Sequence, residues 1–135
     1  VNITSCNDTS LTPGATYHYR VRACNADGNS AYSNTVSAQA QLQAPVAPTN
    51  LTATVSGANV TLNWSDNSNN ESGFEIYRVS GTTSQTFTKI ATTGPNITTF
   101  VNAPGRGTWR YKVRAINSGG ASAYSNTVEA RVVKK

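Results

Sequence analysis

Apolar and polar residues alternate with a period of two along most of this chain, as expected of half-buried β-strands. The clearest run is 108–117 (TWRYKVRAIN), in which aromatic and aliphatic residues alternate with cationic ones. No stretch of ten or more residues has the three-and-four spacing of an amphipathic helix, so the chain is predicted to be all-β. From residue 50 onward, clusters of turn residues separate seven predicted strands: 50–55, 59–65, 73–79, 86–91, 98–102, 108–117 and 124–133.

Seven strands in about 90 residues favour two antiparallel sheets packed as a sandwich. The alternation then divides the side chains between core and solvent. Arg110, Lys112 and Arg114 are predicted to point outward, and Glu75 to face solvent. The residues predicted to point inward are Leu62, Trp64, Phe74, Ile76, Trp109, Tyr111, Val113, Ala115, Val128, Ala130 and Val132.

The chain contains an internal repeat. Residues 17–40 align without a gap on residues 109–132, and 14 of these 24 positions are identical. A period near 90 residues corresponds to one whole small domain rather than to a turn of a solenoid. We therefore predict that residues 1–42 are the C-terminal part of one module and hold its last three strands. Residues 43–49, with two prolines, are predicted to be a short stiff linker, and residues 50–135 a complete module.

Several motifs of the second copy resemble those of bacterial fibronectin type III domains. They are PTNLTA at residues 48–53, Leu-x-Trp at 62–64 and DNSNNESGFEIYR at 66–78. The resemblance implies a seven-stranded immunoglobulin-like sandwich. Residues 11–25 (LTPGATYHYRVRACN) resemble the tyrosine corner of this family, which implies that Leu11 closes one end of the core and that the Tyr17 hydroxyl bonds to nearby backbone. In the second copy Ala103 and Trp109 replace these residues, so the indole N–H is the only polar group at that corner.

Composition and cysteine content favour an extracellular or cell-surface location. Charged residues make up only 13% of the chain, about half the usual share, and the surface is expected to be rich in Ser, Thr and Asn. No apolar run of about 18 residues occurs, so no membrane insertion is expected. Cys6 and Cys24 both lie in the partial copy, whereas the complete copy has Thr98 and Ile116 at their positions. This paired occurrence favours a disulfide over two unrelated free thiols, and a disulfide requires an oxidising compartment.

A repeated row of cations is the main candidate binding surface. The net charge is +5, and the row could hold an acidic polysaccharide. The alternative, which we favour, is that the cations are solvated and paired with Glu75 and Glu129 on adjacent strands. No exposed aromatic residue is predicted to interleave the charges, so no nucleic-acid partner is expected. The row consists of Arg20, Arg22, Arg110, Lys112 and Arg114, with His18 at the position equivalent to Arg110.

Catalytic and metal sites are not predicted. His18 is the only histidine and has no nucleophile or carboxylate at a catalytic spacing. The loop at 66–73 alternates oxygen-bearing side chains, including Asp66 and Glu71, but lacks the glycine and the terminal glutamate of a calcium loop. No cofactor is expected. Seven Asn-x-Ser/Thr sequences are candidate glycosylation sites, at Asn2, Asn7, Asn50, Asn59, Asn63, Asn70 and Asn96.

These observations predict a non-catalytic extracellular spacer or presentation module of a larger secreted or surface protein. The alternatives are a structural subunit of an extracellular filament or sheath assembled through strand complementation, and a carbohydrate-binding accessory module. The partial module would expose an apolar face that includes Tyr19, Val21, Tyr32 and Val36. Because such faces are disfavoured in water, we expect other domains of the same polypeptide or neighbouring copies of the chain to cover residues 1–42.

Overall fold

The computed structural model describes residues 3–133, which divide into two compact units between Gln43 and Ala44. Every regular element of this part is a β-strand, which confirms the all-β prediction. Among these residues no helix is present that could cross a membrane. The strands are β1 (Thr16–Tyr19), β2 (Cys24–Asn25), β3 (Gly28–Asn29), β4 (Val36–Gln39), β5 (Thr49–Ser56), β6 (Asn59–Ser65), β7 (Gly73–Ser80), β8 (Thr88–Thr92), β9 (Thr99–Asn102), β10 (Gly107–Asn117), β11 (Gly120–Ala121) and β12 (Val128–Val132).

The second unit, from residue 44 onward, contains two antiparallel sheets. One has the order β5–β6–β9. The other has the order β11–β10–β7–β8, and β12 pairs with the other end of β10. The sheets enclose a single core, as expected for the immunoglobulin-like sandwich.

Most of the core consists of residues that alternation placed inward, and Leu51 and Val60, which were not predicted, complete it. Phe74, Ile76, Tyr111 and Val113 are completely buried, and the Trp64 ring packs on Phe74 with ring centroids 5.5 Å apart. Trp109 and Val128 are only partly buried, at the margin of the core. Gly73 begins β7 where a Cβ atom would lie 2.0 Å from a backbone oxygen of the loop after β8, so only glycine fits there.

The boundary between the units falls inside the segment predicted to be a linker. Residues 44–49 belong to the second unit, and Pro45 and Pro48 are both buried. Proline suits this place because it has no N–H to satisfy and a fixed backbone angle. The segment therefore serves as the packed entrance to β5 in addition to joining the two copies.

The first unit has strands but no buried residue among residues 3–43. β1 pairs with β4, and β2 with β3. In the repeat alignment β1 and β2 both correspond to the single long strand β10 of the second unit. The difference has a physical reason: β10 is held along its length by β7, and the described part of the first unit provides no equivalent strand.

The hydrogen bond of the tyrosine corner is formed in the first unit as the resemblance implied, whereas Leu11 is only partly buried and closes no core in residues 3–43. The Thr12 backbone N–H donates to the Tyr17 hydroxyl at 2.8 Å. At the equivalent corner of the second unit, the Trp109 indole N–H donates to the Gly105 carbonyl at 3.1 Å. The ring is held to nearby backbone in both copies, but the direction of the hydrogen bond is reversed.

Candidate functional site

The outward face of β7, β8 and β10 carries an alternating set of cations and aromatic rings. We call it the cation–aromatic row and define it, in spatial order, as Arg110, Phe87, Lys112, Tyr124, Arg114 and Tyr77. Each cation of the row lies over at least one of these rings. The shortest contact places Lys112 Nζ 3.7 Å from the Tyr124 ring centroid. The others are Arg110 to Phe87 at 5.6 Å, Lys112 to Phe87 at 4.5 Å, Arg114 to Tyr124 at 5.3 Å and Arg114 to Tyr77 at 5.2 Å.

The row follows from the register of the strands. Arg110, Lys112 and Arg114 are alternate residues of β10 and therefore share one face. Lys112 lies opposite Tyr77 of β7, and Arg114 lies opposite Glu75. Phe87 comes from the loop that leads into β8.

Tyr124 reaches the row from a segment held by serines instead of strand pairing. Ser122 and Ser125 each donate a backbone N–H to β10, to the carbonyls of Ala115 and Val113 at 2.9 and 2.8 Å. Their hydroxyls accept the Ala115 and Val113 N–H groups at 2.9 and 3.1 Å. We call these contacts the serine clamps. The predicted last strand, 124–133, begins only at Val128 for this reason.

Glu75 anchors one end of the row and is buried, so the prediction that it faces solvent was wrong. Lys89 Nζ lies 2.8 Å from Oε1, and Arg114 Nε and the Tyr77 hydroxyl donate to Oε2 at 2.8 and 2.9 Å. Lys89 first, then Arg114 and Tyr77, lower the pKa of the Glu75 carboxyl to about 2 against the opposing effect of burial. Burial and the Glu75 carboxylate raise the pKa of Tyr77 to about 12. The favoured interpretation of paired cations therefore holds for Arg114, and Glu129 forms no ion pair among the described residues.

The remaining cations of the row are held differently. Arg110 donates to the carbonyl oxygens of Gly81, at 3.1 Å, and Ser84. The Lys112 ammonium lies over the Phe87 and Tyr124 rings and has no carboxylate partner within residues 3–133. The sequence-based statement that no aromatic residue interleaves the charges was therefore wrong, because Phe87 and Tyr124 enter the row from segments outside β10.

The first unit repeats the central part of this arrangement. The Arg20 guanidinium lies 3.8 Å from the Tyr32 ring centroid, and that of Arg22 lies 5.2 Å from it. Tyr32, Arg20 and Arg22 occupy the positions of Tyr124, Lys112 and Arg114 in the repeat. His18 is exposed and bonded through Nδ1 to the Ser37 hydroxyl at 2.8 Å, with no carboxylate contact in the described part of the chain. In each copy a tyrosine follows a pair of alternating cations, and the two sets are 92 residues apart in the sequence. This repetition was the sequence signal that could have revealed both arrangements.

The predicted disulfide is not formed. Cys6 and Cys24 are both free and exposed. Cys6 lies in a segment without strand pairing, whereas Cys24 is fixed in the β2–β3 hairpin, so no backbone pairing in residues 3–133 brings the two together. The bridge therefore stays a prediction for the oxidised protein.

The acidic loop at 66–73 holds its own backbone in place. Asp66 accepts the Ser68 N–H at 2.9 Å, and Glu71 Oε1 accepts the Asn96 N–H at 3.2 Å. Backbone and side-chain hydrogen bonds, the Glu71 N–H foremost, lower the pKa of the Glu71 carboxyl. No group of three or more metal-ligating side chains assembles in residues 3–133.

The candidate glycosylation sites are exposed wherever the structure describes them. Asn2 lies outside the described residues. Asn63 lies on the central strand β6 with its side chain directed away from the core, so a glycan there would project from the middle of a sheet. The exposed candidates are Asn7, Asn50, Asn59, Asn63, Asn70 and Asn96.

No protein-family model matches the sequence. Chitinase A1 of Niallia circulans is 34% identical over 140 residues, which cover 95% of this chain and 19% of the chitinase. The chain thus spans about a fifth of that relative. Among solved structures, the FN1–FN3 domains of chicken CNTN1 superpose with a TM-score of 0.65 at 20% identity, over 94% of this chain and 46% of that one. An Fn3-like protein from Clostridium thermocellum gives a TM-score of 0.55 at 23% identity, over 69% of this chain and 98% of that one.

Proposed function

We propose that this chain, which has the fibronectin type III fold shared by its structural neighbours, is a non-catalytic extracellular spacer or presentation module of a larger secreted or surface protein. The observation that carries the proposal is the tandem repeat, in which the C-terminal part of one module is followed by a complete copy. The inward residues of the complete copy pack together as a core. The similarity to a fifth of a chitinase supports an accessory role beside a polysaccharide-degrading domain.

The non-catalytic part of the proposal rests on the surroundings of the histidine and of the two buried carboxylates. The Ser37–His18 pair is exposed on a two-stranded sheet, with no carboxylate to orient the imidazole. The carboxylates that are buried, Glu71 and Glu75, are both engaged in hydrogen bonds that hold them ionised. General acid–base catalysis on a glycosidic bond needs one carboxyl group that retains its proton, and neither provides it.

The spacer proposal is tested by binding and by hydrodynamics together. A spacer is expected to bind no neutral oligosaccharide, chitin oligosaccharides included, at micromolar concentration on a glycan array, and to be monomeric by size-exclusion chromatography with light scattering. Micromolar binding to a neutral oligosaccharide would instead support the carbohydrate-binding accessory module.

A structural subunit of a filament or sheath is the second candidate, and the first unit favours it. Val21 and Val36 are 72% and 55% exposed. Tyr32, predicted to belong to the same apolar face, lies instead over Arg20 and Arg22, on the face that carries the cations. The Asn34 side chain has no hydrogen-bond partner in the described residues. Its equivalent in the second unit, Asn126, bonds the Leu51 backbone N–H and C=O, both at 2.9 Å. A strand equivalent to β5, from another part of the polypeptide or from a neighbouring copy, would satisfy Asn34 and cover the apolar face.

Assembly through this face predicts concentration-dependent oligomers that Val21→Glu abolishes. Val101→Glu is the matched control, because Val101 of β9 is similarly exposed at 56% but lies in the second unit. If the wild-type chain stays monomeric at all concentrations measured, self-assembly is excluded and the spacer proposal is retained.

An extracellular location is part of the proposal, and the cysteines offer a direct test. The intact mass of the natively produced chain is measured after alkylation under denaturing conditions without reductant. No uptake of alkyl groups would support a Cys6–Cys24 bridge and an oxidising compartment. Uptake of two groups would mean that the free thiols of the structure persist, and would remove this support.

A further inference from the structure

We infer that the cation–aromatic row of the second unit is a binding site for an anionic polysaccharide, a sugar polymer that carries carboxylate or sulfate groups. The inference concerns the outward face of one sheet and does not depend on the spacer role, because a spacer, a filament subunit or an enzyme accessory module could each carry such a site.

The charge balance of the row is the first argument. Glu75 is the one carboxylate that contacts it, and both of its oxygens are already occupied by Lys89, Arg114 and Tyr77. Lys112 and Arg110 make no ion pair within residues 3–133. From residue 44 onward the sequence has nine cationic residues against four carboxylates, so the unit as a whole attracts anions.

The second argument is that the cations are already ordered. A free lysine or arginine loses rotamer freedom when it binds a ligand. Lys112 is held between the Phe87 and Tyr124 rings, and Arg110 is held by two backbone carbonyls. Much of the ordering cost has therefore been met before a ligand arrives, which distinguishes this row from scattered surface lysines.

The shape of the surface selects an extended ligand. Alternate residues of a strand are about 7 Å apart. Arg110 and Lys112, which make no ion pair, and Arg114, which is paired with Glu75, therefore follow one another over about 14 Å of β10. These cations lie along an open sheet face instead of in an enclosed cavity. A polymer with repeated negative groups can contact successive cations along such a face, whereas a small monoanion can contact only one or two.

The aromatic rings argue for a sugar polymer over a nucleic acid. Single-stranded nucleic acids bind proteins through bases stacked on free aromatic faces. Here Tyr124 is covered by Lys112 and Arg114, and Phe87 lies under Lys112 and Arg110. Tyr77 meets Tyr124 edge-on, with ring centroids 5.3 Å apart. These rings are engaged with cations and with one another, whereas a base-stacking platform needs a free ring face.

The test uses the full chain and biolayer interferometry on immobilised polygalacturonate (carboxylate), dextran sulfate (sulfate) and neutral dextran. We expect binding to at least one of the charged polymers and none to neutral dextran, with affinity falling as salt is raised from about 20 mM to about 500 mM. The preferred polymer identifies the anionic group. If the chain binds neither of the charged polymers, the inference is overturned. Tighter binding to an oligodeoxythymidine than to either charged polymer would overturn it as well.

Point variants distinguish binding at the cation–aromatic row from general attraction to the net charge of the chain. Lys112→Gln is expected to weaken binding about tenfold, as for loss of one charge-assisted contact. Arg106→Gln makes the same charge change on the exposed turn before β10 and is expected to change the affinity by less than about twofold. Equal losses in the two variants would show that binding is non-specific attraction to net charge, and would overturn the site.

Tyr124 tests the ordering argument without a change of charge. Tyr124→Phe keeps the ring that holds Lys112 and is expected to retain wild-type affinity. Tyr124→Ala releases Lys112 and Arg114 and is expected to weaken binding about fivefold. Thermal melts confirm that each variant is folded. Unchanged affinity in a folded Tyr124→Ala variant would contradict a preordered row.

Discussion

The two copies of the repeat place the same residues on the same face of a sheet, yet only one copy buries them. Tyr111, Val113 and Ala115 are completely buried in the second unit, whereas Val21, the equivalent of Val113, is 72% exposed. The local features are nevertheless present in both copies. Ser30 and Ser33 clamp Ala23 and Val21 as Ser122 and Ser125 clamp Ala115 and Val113. Contacts between near neighbours in the sequence therefore form without a core, and burial requires the opposite sheet.

The largest expected difference between the copies is the cost of removing the core tyrosine. Tyr111→Ala should destabilise the second unit by about 3–5 kcal/mol, because the ring is completely buried. Tyr19→Ala, its equivalent, should leave the main cooperative unfolding transition unchanged. Urea denaturation followed by tryptophan fluorescence measures both. A Tyr19→Ala variant that shifts this transition as far as Tyr111→Ala does would mean that the first unit is part of the same core.

The next comparison concerns the asparagine that holds β5. Asn126→Ala removes two hydrogen bonds to the Leu51 backbone and should cost about 1–2 kcal/mol. Asn34→Ala should cost nothing measurable in this chain, since the Asn34 side chain has no partner among the described residues. If Asn34→Ala is destabilising in a longer polypeptide but not in this chain, the added polypeptide supplies the strand equivalent to β5.

The dependence of stability on pH should come from the second unit and in large part from Glu75. Its pKa is about 2 in the folded state and 4.5 ordinarily. The ionised carboxylate therefore stabilises the fold above about pH 4.5, and this stabilisation is lost as the pH falls from 4.5 through 2. Glu75→Gln should be less stable than wild type at pH 7, and the difference should shrink between pH 4.5 and 2. A constant difference across this range, measured by urea denaturation, would contradict the assigned pKa.

The smallest expected effect is at the two corners. Tyr17→Phe removes the acceptor of the Thr12 N–H, so exchange of that amide hydrogen should accelerate. Trp109→Phe removes the donor to the Gly105 carbonyl and leaves the backbone N–H groups of its corner unaffected, so amide exchange there should change little. Hydrogen-exchange NMR on the two variants distinguishes these results. Unchanged exchange at Thr12 would mean that its hydrogen bond to Tyr17 does not persist in solution.

The sequence predicted the second unit well because alternation and burial agree there. Strand β6 was predicted to the residue, and the inward residues of β7 and β10 are those that fill the core. The same reasoning placed Glu75 in solvent, because a period of two assigns a residue to one face of the sheet but does not show which side chains cover that face. Lys89 of β8 and Arg114 of β10 cover Glu75 from the two neighbouring strands, and that arrangement depends on register.

The candidate site could be predicted only in part. The cations of β10 follow directly from the alternation, but Phe87 and Tyr124 come from an irregular loop and from the serine-clamped segment. A prediction that treats residues 124–133 as one regular strand assigns Tyr124 to a face of the sheet by alternation alone. The contacts that bring it over Lys112 are made by serine hydroxyls, whose hydrogen-bonding choices a hydropathy pattern does not contain.

The serine clamps also occupy backbone groups that would otherwise form an open strand edge. Strand edges with free N–H and C=O groups are templates for pairing with other chains. Between β11 and β12, the N–H and C=O of Val113 and Ala115 are taken up by Ser125 and Ser122. In the first unit, Val21 and Ala23 are occupied in the same way by Ser33 and Ser30. This stretch of edge is therefore closed to a foreign strand even in the copy without a buried core, which favours solubility while a tandem array is still folding.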